Sequence, residues 1–458
     1  MIPPKPRSRP DRVSLWRYAR LFRQDILSAQ PARLYRAWMA EFRTPFFRSY
    51  LLNQPDLVKT VLRERPQDFP KSSRIGEGLR PLLGNSVFLT NGDTWRRQRL
   101  IIDPAFEGGR LKDTFPAILA AAKAGVERLA KRTDQPVEVE QDTSHIAADV
   151  IFRTLFSIPI EDNIASRVFS HFQDYQRSQP ILNLAAFVPV PRWVPRFFRA
   201  PTKRTAAEIR TLISQLTAAR MKAIHDGTAP DDLATKIMTT ADPQTGVRFD
   251  TAEMVDQVAI FFLAGHETSA SALAWALYMM AIFPDWQDKV AEEARILDAP
   301  DLSVVSRLRI SRDVFRETLR LYPPVPMMVR EATRTEHFRD RDIPIGSQLV
   351  LSPWHLHRHE RLWDNPDGFD PGRWQTENGQ RCQREAYIPF SAGPRVCPGA
   401  GFAMVEGSLI LSMLLRNFRV EPVHGRVAVP QAHLTVRSRD GIWLRLIDRE
   451  PKPTFSNA

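Results

Sequence analysis

Residues 390–399 read FSAGPRVCPG, Phe390 to Gly399, and surround Cys397 with two glycines and two prolines. Gly393 and Gly399 let backbone approach closely, and Pro394 and Pro398 stiffen the turn. A helix is expected to begin at Gly399-Ala400, so its positive end favours the thiolate form of Cys397. Backbone N–H groups freed by such a turn can point at the sulfur. For a lone cysteine the alternative is an inert buried thiol, because free Cys is among the most buried residue types.

The wider chain sets bounds on that thiol. With 458 residues, 43% hydrophobic and 25% charged, the sequence has a globular composition. No linker, charge block or repeat divides it, so residues 1–458 read as a single domain, with a flexible basic, Pro-rich arm over 1–14. Two cysteines, Cys382 and Cys397, are too few for a disulfide framework and suit a reducing, cytoplasmic setting. The net charge of +12 is spread along the chain without an RNA-binding motif, which argues against nucleic acid. The start, MIPPKPRSRPDR, has no apolar h-region behind it, so neither a secretory signal nor a transmembrane anchor is expected. Residues 16–47 interleave aromatic and aliphatic positions with arginines, the pattern of an amphipathic helix. Such a helix ordinarily faces a core; contact with a membrane surface is the alternative.

Helical periodicity dominates from Ile146 onward, and the fold class is mainly α with a smaller β-rich part. Strand-like pieces fall at 47–52, 343–351 and 433–447; helices are expected over 57–63, 115–130, 314–321 and 400–418. The Pro/aromatic run 188–201 reads as a loop lining something apolar. The clearest helix starts at Asp250, where Glu253 completes a capping-box pattern, and runs to Pro284. Its centre, Gly265-His266-Glu267-Thr268-Ser269, is polar. A carboxylate in mid-bilayer costs about 3 kcal/mol, which argues against a membrane span and for a buried central helix with a functional interruption.

Zinc is a poor match to Cys397, since it takes two or more nearby Cys or His ligands; a single thiolate axial to haem iron fits better. The pattern Phe-x-x-Gly-x-Arg-x-Cys-x-Gly, carried by Phe390, Gly393, Arg395, Cys397 and Gly399, resembles the haem-binding loop of the cytochrome P-450 superfamily at every position. The resemblance implies that family's fold, with haem b between a long central helix and the cysteine loop and Cys397 as the metal ligand. It implies further that Ala264, Gly265, Glu267 and Thr268 form the oxygen-activating motif, with Gly265 and Thr268 marking a groove for dioxygen. An alcohol beside a carboxylate can relay protons from water. Trp95 and Arg99 resemble the family's Trp-x-x-x-Arg helix that holds a haem propionate, and Arg330 and Arg395 match two further propionate-facing arginines. Arginine suits that task because its planar fork binds carboxylates and keeps its charge. Glu317 and Arg320 resemble the Glu-x-x-Arg element, with Arg373 as the later arginine; Gly372 stands where the family often has an acidic residue.

His355, His357 and His359 alternate, and on a strand they would share one face, so zinc is the rival reading of that segment. The same stretch aligns with the family's His-Arg-x-x-x-x-Trp-x-x-Pro element, which implies a structural His357.

The resemblance implies a monooxygenase that inserts an oxygen atom from O2 into an apolar small molecule, by hydroxylation or dealkylation. A peroxide-driven or isomerising haem-thiolate enzyme and a haem sensor are the alternatives. No flavin or iron–sulfur domain is legible, so electrons are expected from an acidic ferredoxin or flavodoxin with its NAD(P)H reductase, docking on a monomer. Segments 78–89, 182–198, 261–264 and 325–329 are the candidate substrate lining, and Arg74, Arg80 and Arg192 are candidate anchors for a carboxylate.

Overall fold

Asp250 caps the helix that organises the molecule. Its carboxylate accepts from the Glu253 N–H at 2.8 Å, and the Glu253 carboxylate accepts from the Asp250 N–H at 3.1 Å. The computed structural model describes residues 2–43, 48–76, 78–107, 109–178, 200–297, 301–432 and 434–449. Helices α1 (Leu15–Gln24), α2 (Gly92–Ile102), α3 (Arg110–Ala130), α4 (Val139–Phe156), α5 (Ala200–His225), α6 (Thr251–Ile282), α7 (Arg309–Leu321) and α8 (Ala400–Asn417) position the site. The central helix, α6, has 32 residues and is about 48 Å long. Pro284 starts the next helix after a break at Phe283, as its missing N–H requires.

Two apolar cores grip α6 at its two ends. Met254 to Leu263 pack with Phe152 and Phe156 of α4 and Ile209 and Ile213 of α5. Leu273 to Met280 pack with Ile118 of α3, Phe315 of α7 and Leu409 to Leu415 of α8. Residues 264–271 fall between the two cores, so the polar interruption sits where hydrophobic packing does not fill the space around the helix. Among the described residues no helix is long and apolar enough to cross a membrane.

The β part lies largely to one side. Strands β1 (Met39–Arg43), β2 (Arg48–Leu52), β4 (Met328–Glu331) and β7 (Gln348–Leu351) form a sheet in the order β1-β2-β7-β4. β2 runs parallel to β7, Ser49 opposite Gln348, and the other pairs are antiparallel. Strands β3 (Pro136–Glu138), β8 (Phe418–Pro422) and β11 (Trp443–Asp448) form a second sheet, while β5 (Glu336–Phe338) with β6 (Arg341–Ile343) and β9 (Pro430–Ala432) with β10 (Val436–Ser438) are hairpins.

Three expectations are corrected here. The arm is tied to the body: Tyr322 donates to the Pro4 carbonyl at 2.7 Å, Arg9 Nε donates to the Ala29 carbonyl at 2.6 Å, and Arg9 bridges to Pro31. Prolines 3 and 6, which lack N–H groups to satisfy, are buried. Within the amphipathic segment, α1 has no buried residue, and the part that reaches a core is the short 3-10 helix Ala32–Tyr35, which buries Leu34 and Tyr35. The three histidines do not share a strand face. Pro353 opens a short helix, Pro353–Leu356, that carries His355, and His357 and His359 follow in its exit turn. The 188–201 loop lies outside the described residues except for its last two.

Candidate functional site

The cysteine loop is held by its own backbone. Cys397 N–H donates to the Phe390 carbonyl at 2.9 Å, and Val396 N–H donates to Gly393 at 3.0 Å. Gly393 has φ +69°, and a Cβ there would stand 1.8 Å from the Leu62 carbonyl oxygen, so only glycine lets the loop press on the 60–64 helix. The Gly399 N–H faces the Cys397 sulfur, and a Cβ there would make only an ordinary 4.0 Å contact with it. Helix α8 begins at Ala400, as expected. The sulfur opens onto the site yet lies deep among protein atoms. Burial pushes the Cys397 thiol up, against the pull of the Gly399 N–H, Arg99 and Lys71. The helix start therefore does not by itself make the thiolate the resting form; a metal cation on the sulfur does.

Cations gather beside the cysteine. Arg330 is 4% exposed, its guanidinium has no hydrogen-bonding or ionic partner among the described residues, and burial pushes it down to about 10. Burial and the charges of Arg330 and Arg99 bring Arg395 to about 9. It lies 4.2 Å over the Trp95 ring and donates to the Thr90 carbonyl and, at 2.8 Å, to Asn91 Oδ1. Arg99 pairs with Asp103 at 2.8 Å and donates to the Val396 carbonyl at 2.9 Å. Lys71, which sequence reading missed, bridges to Arg330 through its backbone and hangs 4.1 Å over the Phe88 ring. Burial, with Arg330, Arg395 and Arg99 nearby, holds its ammonium well below the usual lysine range. Positive charges forced together at a desolvation cost need an anion, and Asp103 is a partner to one of them only. The cluster and the sulfur thus fit haem, whose iron takes the thiolate and whose two carboxylates meet the cations.

Across the interruption of α6, Ala264 is exposed and Gly265 and Thr268 are half-exposed in a helix buried nearly everywhere else. Thr268 Oγ1 donates to the Ala264 carbonyl at 2.6 Å, which leaves its oxygen free to accept on the open side. Gly265 has a packing duty that its motif does not reveal: a Cβ would meet Ile151 Cδ1 at 2.3 Å, so glycine lets α4 approach. Glu267 is buried and faces away from the opening. Its Oε1 accepts from Thr435 at 2.8 Å and lies 3.7 Å from Arg437, while Oε2 has no partner. His266 meets Ser144 at 2.6 Å, and burial lowers it to about 3, so it is a neutral packed histidine.

A second buried carboxylate was invisible in the sequence. Glu406 of α8 accepts from Ser269 at 2.9 Å, keeps its other oxygen unpaired, and is pushed up to about 8 by burial. Behind the loop, Glu317 binds Arg320 and Arg373, each at 2.8 Å. His357 Nε2 accepts from the Ile388 N–H at 2.9 Å, His355 meets Ser352 at 2.8 Å, and His359 stacks on Trp38 at 4.3 Å. Each histidine has a structural role, and no group of three or more potential metal ligands occurs among the described residues. Arg80 is exposed and donates to Asn85 at 2.8 Å, Arg74 is half-buried, and Arg192 lies outside the described residues.

Known proteins resemble this chain over most of its length. Residues 39–442 match the family model described as Cytochrome P-450. The chain is 31% identical over 424 residues to cyclooctat-9-en-7-ol 5-monooxygenase of Streptomyces melanosporofaciens, covering 90% of this chain and 87% of that one. It is 28% identical to a cytokinin hydroxylase of Arabidopsis thaliana, covering 86% and 78%. Among solved structures, the haem domain of a cytochrome P-450DA mutant superposes with a TM-score of 0.79 at 25% identity, covering 98% of both chains.

Proposed function

The chain belongs to the cytochrome P-450 family and is a haem-dependent monooxygenase with a cysteine thiolate ligand; on that premise we propose that its substrate is a small apolar organic molecule, hydroxylated or dealkylated with electrons from a separate acidic redox protein. The observation that carries the substrate class is the exposure of Ala264, Phe88, Val325 and Val396. All four are apolar, and they belong to segments that flank the interruption of α6, the cation cluster or the cysteine loop. A relative named for oxidising cyclooctat-9-en-7-ol fits the same class.

Bound haem supplies dioxygen binding and oxygen-atom transfer at its iron. The protein's part is to hold it and to deliver protons. Cys397 would give the iron its thiolate from a loop that backbone hydrogen bonds and Gly393 hold in place. Arg330, Arg395, Arg99 and Lys71 would hold the two propionates and be relieved of mutual repulsion in doing so, with the Trp95 ring beneath Arg395. Thr268 would deliver a proton by turning its hydroxyl from the Ala264 carbonyl to the open side, taking a replacement proton from water as it gives its own up. Glu267 is the next acid along the helix, and Arg437, 38% exposed, links it toward solvent. An intact Thr268 hydroxyl at the opening favours this reading over a peroxide-driven or isomerising one. The redox partner is inferred from the +12 net charge, which suits an acidic protein.

The test is a titration of the ferric protein with matched apolar and polar small molecules, followed by its absorption band. Apolar ligands should displace water from the iron and shift the band, and turnover with a reducing partner should consume O2 and yield a monooxygenated product. Band shifts confined to polar or multiply charged ligands would overturn the substrate class.

A further inference from the structure

Helix α1 is built like a surface-seeking element. Ser14 caps it by accepting from the Arg17 N–H, and none of its ten residues is buried. Trp16 is 82% exposed and Leu15 is 50% exposed. A lone solvated tryptophan of that degree loses the burial that most favours its large ring. Arg12, Arg17, Arg20 and Arg23 are exposed around it, and none has an ionic partner among the described residues. Asp11 is the only acid ahead of Asp25. The side away from Trp16 is held: the Tyr18 and Phe22 rings meet tilted at 5.6 Å, and Arg9 lies 5.4 Å over the Tyr18 ring. The exposed edge is therefore presented by an anchored helix.

The helix is also tied, through a hairpin, to the buried side of the α6 interruption. Its end meets the β9–β10 hairpin, where Gln431 donates to the Gln24 carbonyl at 2.6 Å and the Ala432 N–H donates to Asp25 at 2.9 Å. The same hairpin delivers Thr435 to Glu267.

We propose that α1 docks this enzyme on an anionic phospholipid bilayer, with Leu15 and Trp16 entering the headgroup boundary and Arg12, Arg17, Arg20 and Arg23 meeting lipid phosphates. The charge sign selects anionic lipid, and the pairing of tryptophan with arginine along one short helix is the pattern that settles at a membrane interface. Ten residues give weak, reversible and salt-sensitive binding rather than stable anchoring. Docking there brings the β9–β10 hairpin, which contacts Glu267, toward a reservoir of apolar compounds. The inference rests on surface geometry alone, and its readout needs no turnover.

The experiment is co-sedimentation of the full-length holoprotein with phosphatidylcholine vesicles, alone or with phosphatidylglycerol. Binding is expected to the mixed vesicles only and to be reversed by salt. Each arginine is worth about a 5-fold factor in partitioning, so the Arg17→Glu/Arg20→Glu variant should lose at least about 25-fold. Leu15→Ser/Trp16→Ser should lose about 10-fold or more. These side chains are exposed, and an unchanged haem absorption spectrum will verify that both variants fold. Absence of wild-type binding at low salt, or variants that bind as the wild type does, would overturn the proposal. Loss of affinity for an acidic redox protein, without any vesicle binding, would make α1 a protein-docking helix and would overturn it equally.

Discussion

Replacing Glu317 by glutamine removes one charge from the most enclosed ionic group in the protein. Glu317 and Arg320 are 0% exposed, and Arg373 is 5% exposed. Glu317 Oε1 accepts from Arg320, from Arg373 and, at 3.0 Å, from the Asp370 N–H, while Oε2 accepts from Arg320 Nε at 2.9 Å. Both oxygens therefore face donors only. A glutamine can keep one acceptor, but its NH2 must then confront a guanidinium N–H, and two buried cations lose their carboxylate. Removing one partner of a buried ion pair costs about 3–5 kcal/mol. A Coulomb estimate at 4 Å and an effective dielectric of 20 gives about 4 kcal/mol for one pair, in agreement. The carbonyls of His357, Pro366 and Gly368 still hold Arg320, which keeps the loss from growing further. Urea unfolding of the holoprotein, followed by haem absorption and by tryptophan fluorescence, measures the cost. Lys222→Ala, which breaks an exposed pair with Asp226, is the control and should change stability by less than about 1 kcal/mol. A Glu317→Gln loss no larger than this control would refute the reasoning.

Two pH effects follow from buried groups. Glu406, with a carboxyl near 8 in the folded protein against 4.5 when exposed, is protonated when folded and ionised when unfolded between those values. Stability from this residue is fully present below 4.5 and is lost as pH rises toward 8, by at most about 5 kcal/mol. Glu406→Gln should therefore gain on the wild type steadily up to pH 8, and parallel denaturation curves across that range would contradict it. His266, His355 and His357 are lowered to about 3 and His359 to about 4, all by burial, so they stay neutral while the unfolded chain takes up protons below 6.5. Their stability is present above 6.5 and lost as pH falls, each by on the order of 1 kcal/mol at pH 5.5. A urea midpoint that does not drop between pH 7 and pH 5.5 would count against four neutral buried histidines.

What the sequence made legible was local chemistry. The capping pair Asp250 and Glu253, the polar break at 264–269 and the glycine-turned cysteine loop depend on neighbours within a few residues, and each stands where the pattern placed it. Partners distant in sequence were harder. Lys71 reaches the site through a bridge to Arg330, and Glu406 becomes a buried acid only because α8 packs on α6. Neither carries a local signal. The histidine alternation fits a strand, which was the premise of the zinc reading, but Pro353 sets a helical turn there, and His357 has the structural place the resemblance implied. Gly265 shows the reverse case: the motif suggests an oxygen groove, and the atoms show Ile151 filling the space where a side chain would go. Helix α1 was read correctly as amphipathic, but amphipathicity does not say which medium its apolar edge meets.

The central claim is that Cys397, in its rigid loop, gives a haem iron its thiolate. The direct measurement is the carbon monoxide difference spectrum of the dithionite-reduced holoprotein, taken beside the Cys397→Ser variant. The account predicts a strongly red-shifted Soret band in the wild type that is lost in the variant. An unshifted band in the wild type, or a red-shifted band that survives in Cys397→Ser, would contradict it.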